Sequence, residues 1–374
     1  MAPRGVAAQS TAVMGPIPYT KRRERVRRML AEERLDACVV THPPNLYYLC
    51  GFTGSSGALL VGAEACVLLT DGRYSTQARS EVQHASVRIV KKGLLAGVSE
   101  ALRGRQKARI GLEASHMSIG EKIALERLCG QGIRLHAMKG SIEGIRAVKD
   151  PGELEKIREA ARLGSRVFEK ILPRVRPGVR ETDLAAEIEF QMRKLGAERP
   201  AFDTIVACGA RSALPHARPT DKRLKKNELV VLDLGAILRH YCCDLTRTVY
   251  LGRPPARIQS WYAAVRDAQA AAIESLKAGT TGGAADQAAR RVLARARLGR
   301  YFVHSTGHGL GLEVHEEPRL ARGSKQELET GQVVTVEPGV YIAGVGGIRI
   351  EDDVIIGRGG SETITSAPRE LLQL

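Results

Sequence analysis

The chain has 374 residues, of which 43% are apolar and 26% are charged, and its formal charge is +16. That length suffices for two domains with buried cores, and the composition excludes a disordered chain. No run approaches the roughly 18 to 20 apolar residues that a membrane span requires, so we expect a soluble protein without a membrane partner.

The N-terminal segment and the cysteines bear on where the protein acts. Residues 1–16 contain one arginine and no continuous apolar stretch, which favours a flexible tail over a secretory signal. The seven cysteines are scattered without a CxxC pair, which fits neither a disulfide scaffold nor a thiolate zinc site. We therefore predict reduced thiols and a cytoplasmic protein.

The basic cluster KRRERVRR at 21–28 admits two interpretations. It has the charge of a nucleic-acid footprint, but Val26, Met29 and Leu30 recur behind the arginines at helical spacing. No interleaved aromatic residues or nucleic-acid-binding motif accompany it. We favour the solvated face of a helix, and nucleic acid is not an expected partner.

Residues 17–145 alternate short apolar runs with helical stretches, a pattern typical of a small α/β domain. The segment GFTGSSG lacks the Gly-Lys-Ser/Thr ending of a phosphate loop and predicts a connector. The pattern predicts helices near 20–34 and 119–128, and strands at 37–41, 58–61, 66–69, 87–90 and 109–112.

A second domain, 146–374, begins around VKDPGE, where Asp150 is suited to cap a helix and Pro151 to occupy its first turn. Strands then precede and follow a block of helices, which predicts an α+β domain with a sheet backed by helices. The further helices are expected near 182–195, 257–277 and 284–297, and the strands are FDTIVACG, ELVVLDLG, CCDLTRTVYLG, QVVTVEPGVY and GIRIEDDVII.

Four acids interrupt these apolar strands. Asp233 and Asp244 lie eleven residues apart across an expected hairpin through Leu238 and Arg239, and Glu337 and Glu351 lie fourteen apart. A single such acid could be exposed or paired with an arginine, but four in two hairpins indicate a shared site. Because four buried carboxylates repel one another, two divalent cations would balance them.

The segment HSTGHGLGLEVHEEP, 304–318, can complete such a site with one neutral imidazole. It holds three histidines, and its glycines let the backbone approach where a side chain would block it. A regular helix is a poor alternative because GHGLG has low helix propensity.

These motifs resemble the pita-bread dimetal metallopeptidases (peptidase family M24), which include aminopeptidase P, prolidase and methionine aminopeptidase. The resemblance covers about residues 17–374. It implies a pita-bread catalytic domain at 146–374 after a smaller creatinase-like domain at 17–145. The matching motifs are SALPHARPTD, VVLDLGA, YCCDLTRTVY, HSTGHGLGLEVHE, TVEPGVY and GIRIEDD.

The resemblance implies a two-metal site with Asp244 and Glu351 bridging both ions. Manganese is the expected metal, with cobalt, zinc or iron as alternatives, because the donors are one nitrogen and four carboxylates. The implied ligands are Asp233, Asp244, His308, Glu337 and Glu351.

The resemblance also assigns roles in a hydrolysis by a metal-bridging hydroxide. Glu337 would take the proton, and His315 would donate to the oxyanion. His216 and His304 would line the pocket on the leaving side. Arg349 would either orient Glu351 or bind a substrate carboxylate, and the orienting role is favoured because strand alternation puts it beside the site.

The function expected from the resemblance is an Xaa-Pro aminopeptidase, a homodimer acting on peptides with proline in the second position. The alternatives are an Xaa-Pro dipeptidase (prolidase), removal of another N-terminal residue, and a non-enzymatic pita-bread binding protein. The intact ligand set counts against the last. Cys242 and Cys243 depart from the family pattern, and we interpret both as packing residues.

Overall fold

The structure is a computed structural model that describes residues 17–105 and 107–374. The expected flexible tail at 1–16 lies outside these residues. The fold has a smaller N-terminal domain and a larger C-terminal one, with mixed helices and strands in both.

The N-terminal domain is built on a six-stranded mixed sheet with strand order β4-β3-β2-β1-β5-β6. The central strands β1 and β2 are buried along their whole length, which is why they read as continuous apolar runs. The elements are α1 (Tyr19–Glu32), β1 (Ala37–Val40), α2 (Pro43–Cys50), β2 (Gly57–Gly62), β3 (Cys66–Thr70), α3 (Ser75–Glu81), β4 (Ser86–Ile89), α4 (Leu94–Leu102), β5 (Ala108–Glu113), α5 (Ile119–Cys129), β6 (Ile133–Met138) and α6 (Ser141–Ala147).

The C-terminal domain starts with a long helix whose N-terminus is closed by a reciprocal capping box between Asp150 and Glu153, with Pro151 in the first turn. Its elements are α7 (Pro151–Ile171), α8 (Glu181–Lys194), β7 (Arg199–Pro200), β8 (Ile205–Cys208), β9 (Leu229–Leu234), β10 (Ala236–Leu238), β11 (Tyr241–Cys242), β12 (Leu245–Tyr250), α9 (Ala256–Ser275), α10 (Gly282–Arg295), β13 (Gly307–Gly309), β14 (Glu316–Leu320), β15 (Val333–Val336), β16 (Gly339–Ile342), β17 (Gly346–Arg349), β18 (Asp352–Ile356) and β19 (Ser361–Thr363).

Two antiparallel sheets of this domain position the site. One has the order β12-β9-β8, and the other has the order β14-β13-β15-β18-β19. A separate hairpin joins β16 to β17. The expected α+β class with a smaller domain ahead of a larger one is confirmed.

One apolar cluster crosses between the two domains. It contains Val26 and Leu46 from the first domain together with Ile157, Phe168 and Leu232 from the second. All five are buried, so the hydrophobic effect opposes separation of the domains. The proposed boundary between residues 145 and 146 falls inside α6 and stays a prediction.

Three strands that the sequence presents as continuous are broken in the structure. The breaks separate β11 from β12, β15 from β16, and β17 from β18, and each falls at one of the four acids. The expected hairpin turn lies one residue later than predicted, at Arg239 and His240, which both have positive φ. Left-handed residues at a two-residue turn match the twist of antiparallel strands.

The basic cluster at 21–28 is only partly the solvated face that the sequence predicts. Arg22 and Arg23 are buried. Arg22 pairs with Asp150 at 2.7 Å and stacks over the Tyr48 ring, and Arg23 donates to backbone carbonyls, including that of Leu49 at 2.7 Å. Since a buried guanidinium needs acceptors, these contacts tie α1 into the interior.

The seven cysteines are all free thiols, and only Cys129 is not fully buried. Within the part of the chain that the structure describes, no helix combines the length and apolar character needed to cross a bilayer.

Candidate active site

The four acids meet where the two antiparallel sheets approach each other. Asp233 lies on β9 opposite Thr246, and Asp244 immediately precedes β12. Glu337 follows β15, and Glu351 separates β17 from β18. Asp233, Asp244 and Glu351 are buried, and Glu337 is partly exposed.

His308 is held as a neutral imidazole facing these acids. Its Nδ1 lies 2.9 Å from the carbonyl of Gly309, so Nδ1 carries the proton and Nε2 keeps its lone pair. Nε2 lies 3.5 Å from Glu337 and 3.9 Å from Asp244. Burial lowers the pKa of His308 to about 4, which keeps this lone pair available at neutral pH.

The acids lie close together, and Arg349 balances their negative charge only in part. Burial, Glu351 and Asp233 raise the pKa of Asp244 well above its usual range, and burial and Glu337 do the same for Glu351. Burial raises the pKa of Glu337 to about 7. Such shifts are expected for buried carboxylates that lie close together and are only partly balanced by positive charge.

The donor set fits divalent metal ions. Atoms of Asp244, His308 and Glu351 lie within 4.8 Å of one another. The Oδ1 atoms of Asp233 and Asp244 are buried and find no hydrogen-bond partner among the described residues. Since an unpaired buried oxygen is costly, these atoms suit a cation. Asp233 and Glu337 lie outside that tightest group but line the same cavity.

Arg349 connects several of the expected ligands. Its Nη2 donates to Asp233 at 2.6 Å, and its Nε donates to the hydroxyl of Thr246 at 3.1 Å. Thr246 in turn donates to Glu351 at 2.6 Å. Arg349 is buried. This geometry favours the orienting role over the substrate-binding one, because the guanidinium holds one ligand directly and a second through Thr246.

The three other histidines line one cavity of about 580 Å³ with the five expected ligands and Arg349. His315 packs edge-on against His308, with ring centroids 4.4 Å apart. His304 Nε2 lies 2.9 Å from the hydroxyl of Tyr341, and burial lowers the pKa of His304 to about 4. His216 is exposed at the cavity wall.

Sequence reasoning missed Thr246 and Tyr341. Strand alternation from Asp244 puts Thr246 on the same face of β12, which could have indicated the first. Tyr341 accepts from Arg349 at 2.8 Å and joins it to His304. Its position at the end of the TVEPGVY motif is the only sequence signal for it.

Two further cations line the cavity, Arg218 and Arg319. Within residues 17–105 and 107–374, neither guanidinium forms an ion pair with a carboxylate. Both are exposed, so a ligand in the cavity can reach them.

The two adjacent cysteines pack away from solvent. The thiol of Cys242 lies 3.8 Å from the carbonyl of Leu312, and that of Cys243 lies 3.4 Å from the amide of Ala236. Burial raises the pKa of Cys243 to about 12, so this thiol stays protonated.

Comparison with known families gives two matches. Residues 155–358 match the family model described as metallopeptidase family M24. Residues 22–148 match the creatinase/prolidase N-terminal domain.

Relatives of known name cover nearly the whole chain. An Xaa-Pro dipeptidase of Pyrococcus furiosus is 35% identical and covers 94% of this chain and 99% of its own length. A solved Xaa-Pro dipeptidase from Bacillus anthracis is 38% identical with a TM-score of 0.91, covering 95% of this chain and 100% of that one. A solved X-Pro aminopeptidase from Thermotoga maritima is 36% identical with a TM-score of 0.87, covering 94% and 100%.

Proposed function

Since this chain belongs to metallopeptidase family M24, we propose that it is a dimetal Xaa-Pro dipeptidase (prolidase) that hydrolyses the Xaa-Pro bond of dipeptides. The alternative is an Xaa-Pro aminopeptidase, the main expectation from the sequence. The relatives named Xaa-Pro dipeptidase favour the former.

The observation that carries the proposal is the cavity where the four acids of the proposed ligand set, four histidines and two exposed arginines meet. A dipeptide has its free carboxylate one residue beyond the scissile bond. Arg218 and Arg319 offer unpaired charge for such a carboxylate, and a longer peptide has none at that distance.

We propose that five residues hold two divalent ions, manganese being the favoured metal for this donor set. When bound, these ions would supply Lewis acidity that acidifies a water molecule and polarises the scissile carbonyl. The proposed ligands are Asp233, Asp244, His308, Glu337 and Glu351.

The remaining side chains act on the substrate and its protons. Glu337 accepts the proton of the attacking water. His315, whose pKa is lowered by desolvation at the cavity wall, donates a hydrogen bond to the developing oxyanion. His216 and His304 line the side where the proline ring leaves, and Arg349 keeps Asp233 in place.

The proposal is tested by comparing matched substrates under one manganese loading. We expect kcat/KM for Ala-Pro to exceed that for Ala-Pro-Ala and for Ala-Pro amide, which lacks the carboxylate. A preference for Ala-Pro-Ala would favour the aminopeptidase, and equal cleavage of Ala-Ala or Met-Ala-Ser would refute proline specificity.

A pair of variants separates carboxylate recognition from general charge. Arg319→Met should lose about 10-fold or more of the preference for Ala-Pro over its amide, as expected for a charge-assisted hydrogen bond. Arg322→Met, an exposed arginine outside this cavity, should leave the preference unchanged. Equal effects of both variants would remove the role proposed for Arg319.

The proposal also includes an oligomeric state, a cellular location and the bounds of the two domains. We propose a homodimer acting in the cytoplasm, to be checked by light scattering and by fractionation. We also propose the domain bounds 17–145 and 146–374; the two family matches cover residues 22–148 and 155–358.

A further inference from the structure

A buried ionic cluster joins the N-terminal domain to the segment that carries His308 and His315. Its centre is Arg146 on α6, whose side chain is almost fully buried. Nη1 of Arg146 donates to Asn45 Oδ1 at 2.7 Å, and Nη2 donates to Glu313 at 2.9 Å and to Glu316. One guanidinium therefore spans α2 of the first domain and the glycine-rich segment of the second.

Both acids have a further contact with a residue outside the 307–320 hairpin. Lys149 donates to the second oxygen of Glu316 at 3.1 Å. His42 Nε2 lies 3.0 Å from Glu313. Arg146 and Lys149, which are both permanently charged, thus face the two acids. The buried charges of this cluster are therefore paired.

The N-terminal anchor is itself rigid. The amide of Asn45, which is fully buried, donates to Glu113 at 2.7 Å and to Glu143 at 2.7 Å, while its oxygen accepts from Arg146. An amide whose donors and acceptor are all engaged cannot swing without breaking several hydrogen bonds.

Glu316 connects the Arg146 cluster to the expected catalytic residues. It is the residue after His315, and it pairs with Gly309, the residue after His308, at a register shift between β13 and β14. One of its oxygens also accepts from the backbone amide of Glu313 at 3.1 Å. The Arg146 contacts therefore set the position of the 307–320 hairpin from its outer side.

From this geometry we propose that Arg146 is a positioning residue for hydrolysis, which holds the 307–320 hairpin so that His308 and His315 face the cavity. The proposal rests on the proposed function. Through Asn45, it gives the N-terminal domain a part in holding the catalytic residues in position.

The chain offers a matched control for loss of a buried arginine between the domains. Arg22 is also buried and also pairs across the domain boundary, with Asp150 at 2.7 Å. It contacts the start of α7 and Tyr48 and forms no ion pair or hydrogen bond with residues 307–320 of the described chain. Arg22→Gln should therefore destabilise the protein without moving the hairpin.

The test compares full-length Arg146→Gln, Arg146→Lys and Arg22→Gln at saturating manganese, well below their melting temperatures. For Arg146→Gln we expect kcat on Ala-Pro to fall about 10- to 100-fold with a small change in KM, as for loss of an outer partner of an active-site residue. Arg146→Lys keeps the charge but cannot bridge Asn45 and both acids, so its kcat should be intermediate. Arg22→Gln should keep the wild-type kcat.

Hydrogen–deuterium exchange gives a readout that does not need activity. Amides of 307–320 should exchange faster in Arg146→Gln than in Arg22→Gln. Wild-type kcat together with unchanged exchange in Arg146→Gln would overturn the proposal, as would equal losses in both arginine variants. An inactive wild-type protein would instead refute the proposed function, and the exchange comparison would still decide the role of Arg146.

Discussion

Arg349 shows how a single side chain can organise a charged site. Burial alone would lower the pKa of Arg349, but the nearby acids, among them Asp233 and Glu351, outweigh burial and hold this pKa well above its usual value. Its guanidinium neutralises part of the acidic cluster yet leaves Oδ1 of Asp233 without a partner among the described residues. Asp233 can thus be oriented by the arginine and still offer an oxygen to a metal.

Removing a proposed bridging carboxylate should abolish metal binding and activity together. For Glu351→Gln and Asp244→Asn we expect fewer than two manganese ions per chain and a loss in kcat above about 100-fold, more than loss of an outer partner costs. The measurements are metal content by mass spectrometry and Ala-Pro hydrolysis.

Glu181→Gln is the matched control for metal content, since Glu181 is fully buried, accepts from Cys208 and Thr220, and does not line the cavity. It should lose about 1–3 kcal/mol of stability and keep both ions. A Glu351→Gln protein with two ions and wild-type turnover would rule out the bridging assignment.

His304 should make the protein less stable in mild acid. Its folded pKa of about 4 lies below the ordinary value of 6.5, mainly because of burial. Above pH 6.5 both states are neutral and the residue has no effect. Between pH 6.5 and 4 only the unfolded state binds the proton, so the free energy of unfolding falls as the pH falls.

The expected size of this effect is about 1–2 kcal/mol between pH 7 and pH 5. We would measure it by urea unfolding of metal-stripped wild type and of His304→Gln, which cannot titrate. The raised pKa values of the site carboxylates act in the opposite direction, but they do so in both proteins. A variant with the same pH dependence as wild type would contradict the assignment of His304 as a buried neutral base.

At the scale of elements, β13 depends on having no side chain at Gly309. A Cβ there would lie 2.1 Å from the carbonyl oxygen of Glu317, a backbone atom that can yield only if β14 moves. Gly309→Ala should cost about 1–3 kcal/mol or more and weaken manganese binding, because β14 pairs with β13, the strand that carries His308. Urea unfolding and manganese titration would measure both effects.

Gly359→Ala is the control, because a Cβ at that exposed position meets nothing within 4 Å. It should leave stability and manganese affinity unchanged within experimental error. Equal stability and equal manganese affinity of the two variants would mean that the close approach at Gly309 does not stabilise the protein.

The elements predictable from sequence were those with strong periodicity or capping. Helix α7 follows from Asp150 and Pro151, and α1 from the apolar spacing behind its arginines. Helix α2 was not predicted, because PPNLYYLC is apolar almost all round and has no helical face to recognise. The breaks in the three strands were not predicted either. The residues on both sides of each acid favour a β-strand, so the sequence looks continuous there, but the strand pairing ends where the two sheets meet.

The candidate site was more predictable than the fold around it. Four acids inside apolar strands and a histidine segment rich in glycine could be read as one constellation, and one cavity contains all of them. The contacts that hold these residues in position could not be predicted from the sequence. Arg146 and Glu316 are 170 residues apart, and no local pattern shows that their side chains meet. The burial of Arg22 and Arg23 depends equally on packing between domains.

At the scale of the whole molecule, the two domains are coupled by more than a linker. The shared apolar cluster spans both, and a buried ion pair joins Arg22 to Asp150. Arg146, which pairs with Glu316, also donates to Asn45 of the first domain. Separating the domains would expose apolar surface and leave buried charges unpaired, and both are unfavourable. Domains joined by a small polar interface move and unfold separately. The interface in this protein contains the shared apolar cluster, so it does not belong to that class.

We therefore expect one cooperative unfolding transition in the metal-stripped protein despite its two domains. In scanning calorimetry the calorimetric enthalpy should equal the van't Hoff enthalpy, which is the test for two-state behaviour. Arg22→Gln should lower the midpoint without splitting the transition, since loss of one partner of a buried ion pair costs about 3–5 kcal/mol and the apolar cluster remains. Two resolved transitions in wild type, or a Trp261 fluorescence change that precedes the loss of far-ultraviolet ellipticity, would mean that the domains unfold independently and that the shared cluster does not couple them.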